Sequence, residues 1–273
     1  MNSVASTGGQ VEGAARRAAD HPTFEKLARF GMVCRGVLYG LIGLLALRIA
    51  FGGGGEEADK TGAVRTVAEQ PFGTVILWLL AVGFAALALW QLSEVLFGVG
   101  ETKDKIESGA RTIVYGLAVG TVLSFLLRGS AGSSTDDQSK DLTAMVMEWP
   151  GGQFIVGLIG LGIIALGVYW IHHGVKKKFS KNLRSGEMPP RVRDVVLKLG
   201  MAGYVARGVI AIGAGVFFVH AAIVFDPDEA KGIDATLRSF AELPFGPWLL
   251  GLVALGLILF AVYCFAEARW RRT

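Results

Sequence analysis

Residues 31–51 read GMVCRGVLYGLIGLLALRIAF, an apolar run that carries an arginine, Arg35, near its start. A run of this length suits a helix crossing about 30 Å of hydrocarbon, which takes ~20 residues at ~1.5 Å each. Five further runs follow, at about 72–98, 112–127, 152–171, 199–225 and 245–266. The chain is 52% hydrophobic and 18% charged, whereas soluble domains carry about 25% charged residues. These numbers predict an all-α membrane protein with six transmembrane helices, and they exclude a large soluble domain.

The stretch around Arg35 occurs three times. CRGVLYG at 34–40 aligns with ARTIVYG at 110–116 and ARGVIAI at 206–212, which superposes Arg35, Arg111 and Arg207. AEQPFG at 68–73 aligns with MEWPGG at 147–152 and AELPFG at 241–246, which superposes Pro71, Pro150 and Pro244. The match then continues through Gly73, Gly152 and Gly246, through Gly83, Gly162 and Gly256, through Trp90, Tyr169 and Tyr263, and through Glu94, His173 and Glu267. Each copy reads as a helical hairpin with a proline restart, a position where the missing N–H costs nothing. The pieces before the prolines, AVRTVAEQ, LTAMVMEW and DATLRSFAEL, are amphipathic and predict short surface helices. The boundaries that follow are a mobile tail at 1–26, hairpins at 27–100 and 101–180, a linker at 181–196, and a third hairpin with a basic end at 197–273.

All three hairpins enter from one side, so the copies are parallel and predict a pseudo-threefold arrangement. Lys and Arg give the side. Residues 1–30, 98–111, 174–198 and 268–273 hold 18 basic residues, against six basic and 13 acidic in 52–70, 128–149 and 226–243. Basic loops stay in the cytoplasm, so both termini are expected there, in a bacterial plasma (inner) membrane. The first residues lack the apolar core of a signal peptide. Cys34 and Cys264 fall near the same face and are expected to be buried, reduced thiols.

The pattern R-G-V-x-Y-G, an acidic loop, P-F-G, then W-x-x-x-E resembles the bacterial membrane family called domain of unknown function 1206. Its members resemble this chain in their tandem two-helix repeats, and the likeness covers about residues 27–270. The second copy departs, with His173 for the acid, Gly151 for Phe and Thr112 for Gly. The resemblance implies no activity, substrate or catalytic residue.

Candidate functional residues are therefore read from the copies themselves. Arg35, Glu94, Arg111, His173, Arg207 and Glu267 fall at similar depth and form a candidate intramembrane polar layer. Glu is the expected partner of Arg, within one hairpin or between neighbours. The plainer role is anchoring: arginine near a helix end reaches phosphate head groups and fixes orientation. Gly83, Gly162 and Gly256, near the midplane, predict that the three returning helices form an inner layer crossing at these glycines. Gly36-x-x-x-Gly40 and Gly116-x-x-x-Gly120 offer further close contacts.

Other chemistry finds no foothold. His21, His172, His173 and His220 are spread along the chain: His220 lies 13 residues beyond Arg207, ~20 Å along a helix, so no shared metal or haem is expected. GGGG at 52–55 lacks the Lys-Ser/Thr of a phosphate loop and reads as a linker. No Gly-x-Ser-x-Gly elbow is present. The cluster KKKFSKNLR at 176–184 lacks the interleaved aromatics of a nucleic-acid site and reads as a solvated loop beside lipid. Trp90, Trp170, Tyr263 and Trp270 on one side, and Trp149 and Trp248 on the other, read as interfacial anchors. The function expected is an accessory or scaffold subunit or a lipid-organising protein. It has no enzyme activity, no cofactor and no nucleic-acid partner, and the bilayer and another membrane protein are its contacts. The rival is a small-solute or ion transporter or channel using the Arg–Glu layer.

Overall fold

A computed structural model describes residues 22–53, 57–97, 102–129 and 132–271. Six long helices are apolar enough to cross a membrane. They are α1 (Pro22–Ala50), α3 (Gly73–Phe97), α4 (Thr102–Arg128), α6 (Gly152–Val175), α7 (Pro190–Val224) and α9 (Gly246–Trp270). Three short helices, α2 (Lys60–Ala68), α5 (Thr135–Met147) and α8 (Ile233–Glu242), precede the three proline turns. The chain is thus all-helical with three tandem copies of one hairpin. Most of the tail expected at 1–26, and part of the GGGG linker, lie outside the described residues, but Pro22 onward already belongs to α1.

The proline motif works differently from expectation. Each returning helix starts two residues after its proline, at Gly73, Gly152 and Gly246. The proline occupies the second position of a tight turn, closed by Gly73 N–H to Gln70 O (2.8 Å), Gly152 N–H to Trp149 O (2.8 Å) and Gly246 N–H to Leu243 O (2.6 Å). The third position is left-handed: Phe72 (φ 65°), Gly151 (φ 76°) and Phe245 (φ 62°). The closing glycine is obligatory for a second reason. A Cβ on it would lie 2.3, 1.8 or 2.2 Å from the carbonyl oxygen of Val67, Val146 or Ala241 at the end of the short helix.

Packing follows a cyclic order that joins copies more tightly than it joins the two arms of a hairpin. The returning helix of one copy packs along the outgoing helix of the next: α3 on α4, α6 on α7, and α9 back on α1. Small residues seven apart line these seams, as expected for helices crossing at a shallow angle. In α6 they are Gly160, Gly167 and Gly174; in α7 they are Gly208, Gly215 and Ala222. A Cβ on Gly167 would meet Gly208 O at 2.7 Å, and one on Gly215 would meet Gly160 O at 2.7 Å. Ala254 and Ala261 of α9 meet Gly43 and Gly36 of α1 in the same register. The pair α3–α4 carries Ala81, Ala88 and Val95 against Thr112, Val119 and Leu126, bulkier residues at the same repeat positions.

Among the described residues the returning helices share no packed face with one another, so the expected inner layer of α3, α6 and α9 does not form. Each instead crosses the outgoing helix of its own copy, α1 with α3 and α7 with α9, and the second copy fails even this: α4 and α6 do not pack together. The result is a six-helix ring with five closed contacts and one open seam. Leu38 and Ile42 of α1, Phe84 of α3, Tyr115, Ala118 and Val122 of α4, Ile210 of α7 and Leu257 of α9 form one buried cluster that fills the ring. No residue of α6 belongs to that cluster.

On the acidic face the threefold pattern does close. Asp234 of the third copy accepts from Ala58 N–H of the first (2.7 Å). Asp59 of the first accepts from Thr135 N–H (2.9 Å) and Thr135 O–H (2.6 Å) of the second. Asp136 of the second accepts from Ala235 N–H of the third (3.0 Å). Each copy thus caps the next in a closed clasp of carboxylates. Asp59 also caps its own helix through Gly62 N–H. Burial, with Asp234 and Asp59 close by, raises the Asp136 pKa; burial and Asp59 raise that of Glu57 as well.

On the basic face the segment between α6 and α7 folds under the bundle. Phe179 and Leu183 are buried against Phe260, Tyr263 and Cys264. Leu183 bridges Arg271, and Arg184 N–H bonds Trp270 O (2.8 Å). The lysines around Phe179 stay exposed. The solvated loop read from 176–184 is therefore a plug with a charged rim.

Candidate functional site

The polar layer assembles just above this plug. Arg35 pairs with Glu267, not with Glu94: its Nη2 donates to Glu267 Oε2. The partner lies across the seam between the first and third copies. Arg35 Nη1 also donates to Tyr115 O–H (2.9 Å), and its Nε donates to Cys264 Sγ (3.3 Å). Glu267 is 3% exposed and takes a second cation, Arg271, on its other oxygen. Arg271 in turn lies over the Trp90 ring, 4.2 Å from its centroid. One carboxylate thus joins α1, α9 and the chain end, and α4 joins through Tyr115. A buried pair survives only when its remaining donors and acceptors are satisfied, and Tyr115 and Cys264 supply part of that.

Glu94 is exposed and outside this network. Geometry explains why. Arg35 and Arg207 each face the returning helix of the preceding copy, at Cys264 and Trp170, positions that align with Gln91 and lie one turn before Glu267, His173 and Glu94 respectively. Arg207 follows the same rule but meets the second copy, which carries His173 in place of the carboxylate. It lies among aromatic faces instead: Trp170 at 4.2 Å, Phe260 at 4.9 Å and Tyr39 at 5.2 Å from their centroids. Cation–aromatic contacts of this kind contribute about 0.5–2 kcal/mol each. His173 joins the aromatic cluster beside Tyr204, 5.1 Å between centroids, with its Nδ1 3.4 Å from Tyr169 O–H. Arg111 is half-buried and bears electrostatically on Glu267 and Tyr204. Four of the six residues, Arg35, Arg111, Arg207 and Glu267, therefore converge on one region; His173 borders it and Glu94 does not reach it.

The anchoring tryptophans divide similarly. Trp149 and Trp248 are exposed on the acidic face, whereas Trp90 and Trp170 back arginines and Tyr263 is buried.

The three midplane glycines divide as well. A Cβ on Gly83 would lie 2.4 Å from Cys34 Sγ, and a Cβ on the facing Gly31 would lie 2.4 Å from Gly83 O. A Cβ on Gly256 would meet Ala206 Cβ at 2.5 Å. Nothing lies within 4 Å of Gly162, and the same holds for Gly116 and Gly120 of α4. The equivalents of Leu87 and Phe260, each 1% exposed, and of Leu80 (4%) and Val253 (2%), are Leu166 at 42% and Ile159 at 43%. On α4, Val114 is 51% exposed where Leu38 and Ile210 are each 7%. The sequence holds a reason: where the first and third copies carry Gly31 and Gly203 at the crossing, the second carries Glu107. At those two glycines even a Cβ would lie 2.4 Å from Gly83 O or from the Phe260 side chain, so a longer side chain has no room at such a crossing.

Comparison with known proteins then fixes the family. The family described as Domain of Unknown Function (DUF1206) matches residues 30–98, 106–177 and 202–271, one match per hairpin, and the chain belongs to it. A Bacillus subtilis (strain 168) protein bearing the name "Uncharacterized protein YxxB" is 28% identical over 249 residues, which cover 89% of each chain. No solved structure matches.

Proposed function

We propose that this member of the DUF1206 family is a scaffold of the bacterial inner membrane, an accessory subunit or lipid-organising protein with both termini in the cytoplasm. In this reading it binds membrane components and neither catalyses a reaction, carries a solute nor binds nucleic acid. One observation carries the reading: the ring is filled where a pathway would run. Leu38, Ile42, Ala118, Val122 and Ile210 occupy its interior, and Phe179 and Leu183 stopper the basic face. The Arg35–Glu267 pair is bonded on several sides, so its polar atoms serve cohesion between copies. Basic loops support the orientation.

The test is purification of the full chain in mild detergent, with identification of what accompanies it, followed by reconstitution into liposomes. A stoichiometric membrane partner or retained lipid, and no ion or solute flux above empty liposomes, is the expected result. Flux that Glu267→Gln abolishes, or a bound small solute without a partner, would replace the scaffold with a transporter.

A further inference from the structure

The open seam of the second copy has one surface, α6, whose counterparts in the first and third copies are covered by helices, and nothing within the described chain covers it. We infer that the seam seats one anionic diacyl phospholipid of the leaflet on the basic face, its chains along Ile159, Gly162 and Leu166 and its phosphate at the lysines that end α6. The inference deepens the scaffold reading and rests on it, since the lipid is a lasting component of the fold and not a cargo.

Three observations select this occupant. The seam opens sideways into hydrocarbon, and both its walls are apolar: Val114 and Leu117 of α4, Ile159 and Leu166 of α6, each two-fifths or more exposed. Its depth suits one leaflet. From Gly162 to Lys176 is 14 residues, ~21 Å of helix, close to half of the ~40–45 Å bilayer with its headgroup layers. Its end on the basic face is positive: Lys176, Lys177 and Lys178 are exposed where α6 ends, and Lys105 of α4 is half-buried. Basic residues at the membrane surface favour anionic over zwitterionic lipid. A neutral lipid would fill the groove without using this charge.

The experiment is native mass spectrometry of the delipidated full chain, with palmitoyl-oleoyl phosphatidylglycerol or the phosphatidylcholine of identical chains added back. Wild type should retain a single phosphatidylglycerol, about tenfold over phosphatidylcholine. Gly162→Phe, which puts a ring into the groove, should lose that lipid while keeping its thermal midpoint. The triple change Lys176→Gln, Lys177→Gln, Lys178→Gln should keep one lipid but lose the preference, which a merely structural role for the lysines would not predict. Equal retention of the two lipids by wild type, or full retention by Gly162→Phe, overturns the site. So does a stoichiometric membrane protein photo-crosslinked at position 162; that outcome leaves the scaffold reading standing. Solute flux in the liposome assay, with the lipid bound as expected, strikes the reading and not the site.

Discussion

At the scale of residues, alignment of the copies found the arginines and a glutamate partner but left open whether the pair lies within one hairpin or between neighbours. Arg35 and Glu94 share depth in the sequence, and so do Arg35 and Glu267; only the cyclic packing of α9 on α1 chooses between them. Tyr115 was in plain view as the tyrosine of ARTIVYG, but nothing local says that it bonds the arginine of another copy. The choice has a measurable consequence. Glu267→Gln removes the charge that balances Arg35 and Arg271, and breaking such a buried pair costs about 3–5 kcal/mol. A large drop in thermal midpoint in mild detergent is expected, whereas Glu94→Gln should leave the midpoint within error. Equal effects of the two would return the pair to a single hairpin.

At the scale of elements, the six spans and the three short helices were legible from apolar runs and amphipathic spacing. The start of α5 was not: the piece read from Leu142 extends back to Thr135, because Ser134 and Asp137 form a capping box ahead of the apolar residues. The glycine signal was read at the wrong partner. Gly83 and Gly256 do sit at close crossings, but with outgoing helices, and Gly162 at none. The information lay in the facing position, where Gly31, Glu107 and Gly203 differ. Gly83→Ala is expected to destabilise strongly, since its Cβ would overlap Cys34, and overpacking costs about 1–3 kcal/mol or more. Gly162→Ala should match or slightly exceed wild type, because alanine favours helix by about 1 kcal/mol and meets no neighbour. Thermal melts of the two variants check this directly.

At the scale of the whole molecule, parallel copies predicted threefold symmetry, and the molecule obeys it unequally at its two faces. The carboxylate clasp closes it on the acidic face, while the seam breaks it within the bilayer. Asp59, Asp136 and Asp234 escaped the sequence reading because the short helices between them and the prolines differ in length, 9, 13 and 10 residues, so the carboxylates do not align from the prolines. The raised pKa of Asp136 fixes the sign of a pH effect. A carboxyl whose folded pKa lies above its unfolded value stabilises fully below the unfolded value, and that contribution is lost as pH rises through the folded one. Asp136→Asn keeps an oxygen for Ala235 N–H without the charge. Its midpoint should equal or exceed that of wild type at pH 7, and the gap should close as pH falls into the carboxylate range. A gap that widens on acidification would contradict the assignment.

The packing of α9 on α1 has a wider meaning. It is the same junction as α3 on α4 and α6 on α7, except that no peptide link crosses it. The polypeptide is a loop of three beads whose string happens to be cut at one knot. Joining its ends through the basic face and cutting instead between α3 and α4 should yield a circularly permuted chain with the same native ring.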